Sequence, residues 1–269
     1  MKRNTATTAQ PWYVRAFKAD YLARYKHRSD AQARRELPFI LKELKLPARA
    51  TVLDLCCGAG RHACAMAGAL RRGRVIALDL SLDLLRAAQA KNSARRRLHF
   101  IRGDMRRIPL ANARLDGVIN LFTSFGYFKT DGEHLRVLKE VVRVLKPGGR
   151  LVLDFFNRAH VLATLVRRSE SVEPGRTIVM ERRYDAKARR LVKTIRVADG
   201  CAEKKGRQEC RPAVVLRESV RAYSFAELKR LLVRAGLSPV GLYGDLNGAE
   251  FDPETSPRCV WVAEKATAS

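Results

Sequence analysis

Short apolar runs alternate with longer amphipathic segments between residues 52 and 156 of the chain. The runs have the length of buried strands, and the segments between them repeat apolar residues every three or four positions, as helices do. This alternation predicts an α/β domain in which parallel strands are joined by helices. The predicted strands are residues 52–55, 75–80, 98–102, 115–120 and 150–156, and the clearest predicted helices are residues 63–70 and 132–146.

The hydrophobic period changes after the fifth predicted strand. Alternating residues separated by turn signals predict an antiparallel insertion over about residues 176–223. A helix with a capping box at Ser224 follows the insertion and is predicted to pack on the main sheet. The strands predicted in this half are residues 177–180, 191–197, 214–223, 240–243 and 259–264, of which the last two close the main sheet.

The N-terminal segment is rich in aromatic residues at helical spacing. Phe17, Tyr21 and Tyr25 would share one face of a helix, and a second helix is predicted to begin at Ser29. We therefore expect a helical cap over residues 1–48 and one main domain over residues 49–269.

A turn rich in glycine follows the first predicted strand. Gly58 and Gly60 lie between that strand and a helix, where glycine lets a ligand approach the main chain and the helix N-terminus attracts negative charge. The second strand ends in Asp79, 21 positions after Gly58. A carboxylate at that place can accept hydrogen bonds from both hydroxyls of an adenosine ribose. These positions predict a nucleotide-like ligand at the carboxyl edge of the sheet.

The ends of the later strands carry further motifs. Gly103-Asp104-Met105 follows the third strand, residues 121–128 follow the fourth, and Pro147-Gly148-Gly149 precedes the fifth. In these motifs and their order, the chain resembles the class I S-adenosylmethionine-dependent methyltransferases. The resemblance implies an α/β, Rossmann-like fold with a seven-stranded, mostly parallel sheet and helices on both faces. It also implies an enzyme that uses S-adenosyl-L-methionine as cofactor and releases S-adenosyl-L-homocysteine.

The same resemblance implies roles for individual residues. Asp54 and the glycine turn would hold the methionine end of the cofactor, Asp79 its ribose, and Asp104 its adenine amino group. N-terminal helices close over the cofactor in such enzymes, so Tyr21 or Arg28 would reach its carboxylate or the acceptor. The implied cofactor positions are Asp54, Cys56, Gly58, Gly60, Asp79, Leu80, Asp104, Met105, Asn120, Leu121, Tyr21 and Arg28.

The loop after the fourth strand is the candidate acceptor region. It resembles the loop of the amino-sugar N-methyltransferases, which carry a histidine where this chain has Tyr127. A phenol with a pKa of about 10 suits hydrogen bonding better than proton removal at neutral pH, so we expect Tyr127 to position the acceptor. The open alternative is an aromatic shelf that Tyr127 forms with Phe122 and Phe125. Phe125, Tyr243 and Asp245 are the candidates to contact the acceptor.

The charge balance leaves the class of acceptor open. Lysine and arginine outnumber aspartate and glutamate by 53 to 27, a net charge of +26, and the excess lies before Pro212. Such a field attracts polyanions, so RNA or another polyanion is the alternative to a small-molecule acceptor. The competing explanation is that most of these charges only solvate helix faces.

Methyl transfer to a nitrogen or oxygen of a small molecule is the preferred hypothesis. The glycine turn alone also permits a nicotinamide-dependent oxidoreductase, but Gly103-Asp104-Met105 and the Pro-Gly-Gly segment argue against it. A protein that binds the cofactor without catalysis is the remaining alternative.

Other patterns predict absences. No apolar stretch is long enough to span a bilayer and no signal-peptide pattern is present, so a cytoplasmic protein without a membrane partner is expected. The six cysteines lack metal-binding spacing, and no carboxylate cluster lies near Asn120 or Asp154, so no metal is expected. His134 is expected in solvent, and no pattern indicates an oligomeric state.

Overall fold

The computed structural model describes residues 10–17, 29–92, 96–173, 176–199, 202–204, 207–209 and 214–267. The helices are α1 (Trp12–Ala16), α2 (Asp30–Leu44), α3 (Arg61–Ala69), α4 (Leu82–Lys91), α5 (Asp131–Val144), α6 (Arg158–Ala163) and α7 (Phe225–Ala235). The strands are β1 (Thr51–Leu55), β2 (Arg74–Asp79), β3 (Leu98–Arg102), β4 (Leu115–Asn120), β5 (Leu145–Phe156), β6 (Arg168–Glu173), β7 (Arg176–Asp185), β8 (Arg190–Asp199), β9 (Ala202–Lys204), β10 (Arg207–Glu209), β11 (Val214–Arg221), β12 (Leu237–Tyr243) and β13 (Arg258–Lys265).

The central sheet has seven strands in the order β12, β13, β5, β4, β1, β2, β3. Strands β1 to β5 run parallel to one another, whereas β13 is antiparallel to β5 and β12 is antiparallel to β13. The predicted seven-stranded, mostly parallel sheet is therefore confirmed. The strand order reverses between β1 and β4, and open α/β sheets bind their ligands at the carboxyl end of such a switch point.

Both faces of the central sheet are covered by helices. On β1, Val52 belongs to a core with Ile40 of α2 and Met66 of α3, whereas Leu53 belongs to a second core with Val141 of α5. Because successive side chains of a strand point to opposite faces, a strand buried on both faces is a continuous apolar run. The apolar run of β1 therefore predicts a strand with a helix layer on each face.

The predicted antiparallel insertion forms a separate four-stranded sheet. Its order is β11, β8, β7, β6, and all neighbours are antiparallel. The sheet begins with β6, before the predicted start at residue 176. In β6 the single apolar residue is Val172, which is 80% exposed, so no hydrophobic alternation marks this strand. We call this unit the outer sheet.

The N-terminal cap is described in part. Helix α1 packs against β11, while the predicted positions Tyr21 and Arg28 lie outside the described residues. Helix α2 begins after Ser29, whose hydroxyl oxygen accepts a hydrogen bond from the Gln32 backbone N–H at 3.2 Å. Among the helices of the described ranges, none combines the length and the apolar character needed to cross a membrane.

Candidate functional site

A cavity of about 450 Å³ opens at the carboxyl edge of the central sheet, beside the switch point. Its walls come from the ends of β1, β2, β3 and β4 and from the N-terminal segment. The lining residues are Cys56 and Gly58 after β1, residues 79–84 after β2, residues 102–105 after β3, Phe122, Ser124, Tyr127 and Phe128 after β4, and Tyr13, Val14 and Phe17 of the N-terminal segment. Several strand ends that the sequence singled out therefore meet at one cavity.

The two glycines of the turn after β1 have different surroundings. Both have left-handed backbone angles, with φ of 56° at Gly58 and 74° at Gly60. A Cβ at Gly58 would meet no atom within 4 Å, and Gly58 lines the cavity. A Cβ at Gly60 would lie 3.1 Å from the Cβ of Ala88 on α4. Gly58 thus leaves space for a ligand, whereas Gly60 allows close packing beneath the turn.

Asp79 is held between two backbone N–H groups. One carboxylate oxygen accepts from Gly58 at 2.9 Å and the other from Ser81 at 2.8 Å. Burial raises the pKa of Asp79, and these hydrogen bonds oppose that effect. The carboxylate is therefore fixed in orientation at the wall of the cavity, at the end of β2 where the sequence predicts an acidic site.

Asp54 lies below the turn and not in the cavity wall. Its side chain accepts a hydrogen bond from the Ala63 backbone N–H at 3.1 Å, in the first turn of α3, and it is 4% exposed. Burial raises its pKa to about 7. Asp54 therefore supports the turn from beneath, and any contact with a ligand in the cavity would be indirect.

Asp104 is engaged by Arg106. The Arg106 guanidinium donates to both carboxylate oxygens, at 2.7 to 3.2 Å, and also to Glu133 at 2.7 Å. Burial alone would raise the pKa of Asp104, but the hydrogen bonds and charge of Arg106 outweigh burial and hold this pKa below its usual value. Leu80 and Met105, which the resemblance implies as cofactor positions, also line the cavity.

Asn120 carries a buried acceptor at the end of β4. Its amide nitrogen donates to the Leu55 carbonyl at 2.8 Å, and its Oδ1 atom has no hydrogen-bond partner among the described residues. Asn120 is 2% exposed and does not line the cavity, although Cys56 beside it does. Leu121 is buried in the core. A buried oxygen without a donor is costly in a folded protein, so a ligand donor would stabilise this group.

The loop after β4 brings Tyr127 to the cavity but buries Phe125. The Tyr127 ring stacks on Phe17 with centroids 5.6 Å apart and meets Trp12 edge-on at 4.9 Å. Phe125 is fully buried and packs against Tyr223, so it does not reach the cavity. Of the three aromatic residues considered in this loop, Phe122 and Tyr127 therefore line the cavity and Phe125 does not.

Tyr243 and Asp245 lie away from the cavity. Tyr243 packs edge-on against Phe39 of α2 at 4.9 Å, and Asp245 accepts from the backbone N–H groups of Asn247 and Ala249 within its own loop. Neither residue is among those that line the cavity. The structure does not bring these two candidates together with the other site residues.

Sequence reasoning missed the attachment of the N-terminal segment and the position of His134. The Ser81 hydroxyl donates to the Phe17 carbonyl at 2.6 Å and ties this segment to the start of α4. His134 is 1% exposed, so its expected position in solvent is wrong. The sequence contained a sign of this burial, because His134 precedes Leu138 and Val141 by four and seven residues on the same helix face.

No cluster of three or more potential ligands for a metal ion occurs within the described part of the chain.

Residues 52–149 match a family model described as a methyltransferase domain. The demethylmenaquinone methyltransferase of Lactococcus lactis is 37% identical over 106 residues, which are 38% of this chain and 40% of that protein. The chain therefore aligns with less than half the length of this curated relative.

Solved methyltransferases share the fold over nearly the whole chain. The CcbJ methyltransferase of Streptomyces caelestis has a TM-score of 0.75 at 20% identity, covering 95% of this chain and 98% of that one. CalS10 of Micromonospora echinaspora, an amino pentose methyltransferase solved with S-adenosylmethionine bound, has a TM-score of 0.64 at 22% identity, covering 91% and 96%. The predicted resemblance to S-adenosylmethionine-dependent methyltransferases is confirmed over residues 52–149, which match the model of a methyltransferase domain.

Proposed function

We propose that this protein transfers the methyl group of S-adenosylmethionine to a nitrogen or oxygen atom of a small molecule. The observation that carries the proposal is the cavity at the switch point, where Gly58 leaves open space beside the fixed carboxylate of Asp79. Ligands of open α/β sheets bind at this place, and an acidic residue there suits ribose hydroxyls.

The residues of the cavity fit the proposed cofactor. Asp79 would accept the ribose hydroxyls, and the open approach at Gly58 would admit the rest of the cofactor close to the main chain. Phe122 and Tyr127 line the cavity, and aromatic rings attract a cation such as a sulfonium. When bound, the cofactor supplies a methyl group that is already electrophilic.

The chain itself must then align the acceptor and exclude water. Aromatic side chains of the N-terminal segment and of the loop after β4 form the apolar side of the cavity, with Phe17 stacked on Tyr127. Alignment of two reactants can contribute on the order of 7 to 11 kcal/mol to lowering the barrier. In this proposal Tyr127 donates or accepts a hydrogen bond that orients the acceptor.

Charge in the cavity favours a small molecule over a polyanion. The described lining residues include three acids, Asp79, Asp83 and Asp104, and one base, Arg102. An acidic lining of this kind offers no attraction for the phosphate groups of a polyanion. The relatives named above act on a demethylmenaquinone and an amino pentose, which supports a small-molecule acceptor. The RNA alternative has no support from the described site.

Titration calorimetry with S-adenosylhomocysteine tests the cofactor site. Asp79→Asn should weaken binding by about 1.5 to 3 kcal/mol, roughly 10- to 100-fold, because hydrogen bonds to a charged acceptor are lost. The matched control is Asp30→Asn, which makes the same chemical change at an exposed position in the first turn of α2. Unchanged affinity in a folded Asp79→Asn protein, or no binding by the unaltered protein, would contradict the proposal.

A further inference from the structure

One side chain of the outer sheet binds three consecutive carbonyl groups of the acceptor loop. Arg190, the first residue of β8, donates from Nη1 to the Phe128 carbonyl at 2.8 Å and from Nη2 to the Gly126 and Tyr127 carbonyls at 3.3 Å each. Its Nε and Nη2 atoms also bind Ser219 of β11, at 2.8 and 2.7 Å. We call residues 126–128 the tyrosine turn, since Tyr127 is at its centre.

Arg190 differs from two other arginines of the outer sheet, which have acidic partners. Arg196 of β8 pairs with Glu181, and Arg221 of β11 pairs with Glu227 and Asp131. None of the ion pairs found among the described residues involves Arg190, whose guanidinium is half-buried and directed at neutral carbonyls. The flat guanidinium, with donors along its edges, can bind several carbonyls at once, which an ammonium group does less well.

A second contact fixes the same turn through its N–H group. The Phe128 backbone N–H donates to His134 Nε2 at 3.0 Å, so Nε2 is unprotonated and the ring proton is on Nδ1. Nδ1 then donates to the Tyr223 hydroxyl at 2.7 Å, and that hydroxyl donates to Asp131 at 2.6 Å. The chain of hydrogen bonds runs from the turn through the buried His134 and Tyr223 side chains and ends at Asp131, which is 48% exposed at the start of α5.

The turn is also pressed against the outer sheet. The Gly126 carbonyl accepts from the Arg221 backbone N–H at 2.8 Å. A Cβ at Gly126 would lie 3.0 Å from Val220 Cγ1 and 3.1 Å from the Arg221 carbonyl oxygen, and its φ is 92°. Bonds from Arg190, His134 and β11 therefore hold the backbone on both sides of Tyr127, whose ring lines the cavity.

We propose that Arg190 is a positioning residue, which holds the tyrosine turn so that Tyr127 keeps its place against the acceptor. The proposal depends on the function proposed above for Tyr127. It gives the outer sheet a part in methyl transfer, because the sheet carries the guanidinium that orders the loop after β4. Arg190 itself does not line the cavity, so it acts through the turn and not on the substrate.

Hydrogen exchange followed by mass spectrometry tests the structural half of this proposal. Arg190→Met should speed exchange of amides in the tyrosine turn by about tenfold or more, with exchange over residues 51–79 unchanged, because only a local opening becomes easier. Arg190→Lys should restore part of the protection. The matched control is Arg196→Met, on the same strand and 43% exposed, which should leave the turn protected. Unchanged exchange of the turn in Arg190→Met would overturn the proposal.

Methyl transfer tests the functional half. The probe is methyl-labelled S-adenosylmethionine at saturation with the acid-soluble fraction of a cell extract. Arg190→Met should slow transfer by up to about fivefold to tenfold, the effect expected for loss of the Tyr127 hydroxyl itself, because Arg190 acts only through that residue. The affinity for S-adenosylhomocysteine should stay as in the unaltered protein. Full transfer by Arg190→Met with a loosened turn would overturn the positioning role. If the unaltered protein binds no cofactor, the proposed function fails, and the exchange result alone still decides whether Arg190 holds the turn.

Discussion

Two regions of this molecule carry charged side chains, and they hold them differently. At the carboxyl edge of the central sheet, Asp54 and Asp79 are buried, and backbone N–H groups bind their carboxylates. On the outer sheet, the side chains of Arg168, Arg183 and Arg196 are 43% to 62% exposed and pair with acids in water. Exposed pairs contribute little, whereas a desolvated carboxylate needs specific donors. The candidate site is thus distinguished by the burial of its charged side chains and not by their number.

This difference also bears on the net charge of +26. The many arginines of the outer sheet increase that total, yet the cavity is lined by more acids than bases among the described residues. The excess charge therefore says little about the ligand of the cavity. Arg221, which is buried like the acids of the site, should contribute more to stability than the exposed arginines of the outer sheet. Replacing a buried and an exposed arginine is therefore the strongest test of the comparison.

Arg221→Met should give the largest effect. Arg221 is 4% exposed and pairs with Glu227 at 2.9 Å and Asp131 at 3.3 Å. Glu227 keeps two other arginines as partners and Asp131 is 48% exposed, so neither acid is left uncompensated. The loss comes from the hydrogen bonds of the buried guanidinium to Glu227 and to the Ala222 carbonyl, and the free energy of unfolding should fall by about 3 kcal/mol. Urea unfolding measures this loss. Arg196→Met, the exposed counterpart on β8, should leave the midpoint unchanged, and equal losses in the two variants would contradict the comparison.

The buried His134 should make stability depend on pH. Burial lowers its pKa to about 4, while Asp131 opposes and Arg190 and Arg221 add to that shift. Between the unfolded pKa of about 6.5 and the folded pKa, the unfolded chain binds a proton that the folded protein does not. Stability should therefore fall as the pH falls through this window, by roughly 3 kcal/mol from this group.

The contribution of His134 is isolated by a difference measurement. Burial also lowers the pKa of His62, which acts in the same direction, and raises that of Asp54, which acts in the opposite one. Unfolding of the unaltered protein and of His134→Asn should be compared from pH 7 to pH 4. The variant should lose less stability as the pH falls, and parallel curves for the two proteins would show that His134 does not titrate as its burial implies.

Alanine substitutions at the two glycines of the turn after β1 should have different effects, one mainly on stability and the other mainly on ligand binding. Gly60→Ala adds a Cβ 3.1 Å from Ala88 at a left-handed φ, so thermal or urea unfolding should show a loss of about 1 to 3 kcal/mol. Gly58→Ala has similar backbone strain but no clash, so its loss of stability should be smaller. Its methyl group would instead narrow the cavity and weaken binding of S-adenosylhomocysteine. Identical effects of the two variants would contradict the different roles assigned to them.

Tyr127→Phe should give the smallest of these effects. The ring still stacks on Phe17, but the hydroxyl is lost, so methyl transfer should slow by roughly fivefold to tenfold with no change in cofactor affinity. Tyr243→Phe is the matched control, because that tyrosine packs on Phe39 away from the cavity. Full activity of Tyr127→Phe would favour the alternative of an aromatic shelf.

The sequence predicts those parts of the site that depend on patterns among residues close together in the chain. Gly58 and Asp79 follow directly from strand, turn and helix patterns, because parallel strands bring their carboxyl ends to one edge. Phe125 and Tyr127 are two residues apart, and which of them faces the cavity depends on the turn at Gly126. This glycine has a φ of 92° and lies so close to Val220 that a Cβ would be 3.0 Å from its Cγ1 atom. That contact is distant in sequence, so no local pattern could reveal it.

The outer sheet shows a similar limit. Its strands β7, β8 and β11 were predicted from alternation, whereas β6 has no apolar face and was missed. The contact of Arg190 with the tyrosine turn joins residues more than 60 positions apart. Nothing in the sequence distinguishes this arginine from its exposed neighbours, because its role depends on the packing of one sheet against the other.

The most direct test of the central claim is transfer of a labelled methyl group from S-adenosylmethionine in a complete extract, followed by acid precipitation. The account predicts label in the acid-soluble pool, strongly reduced by Asp79→Asn and unaffected by Asp30→Asn. Label found instead in a precipitate that ribonuclease destroys would contradict the account, and would mean that the basic surface binds the acceptor.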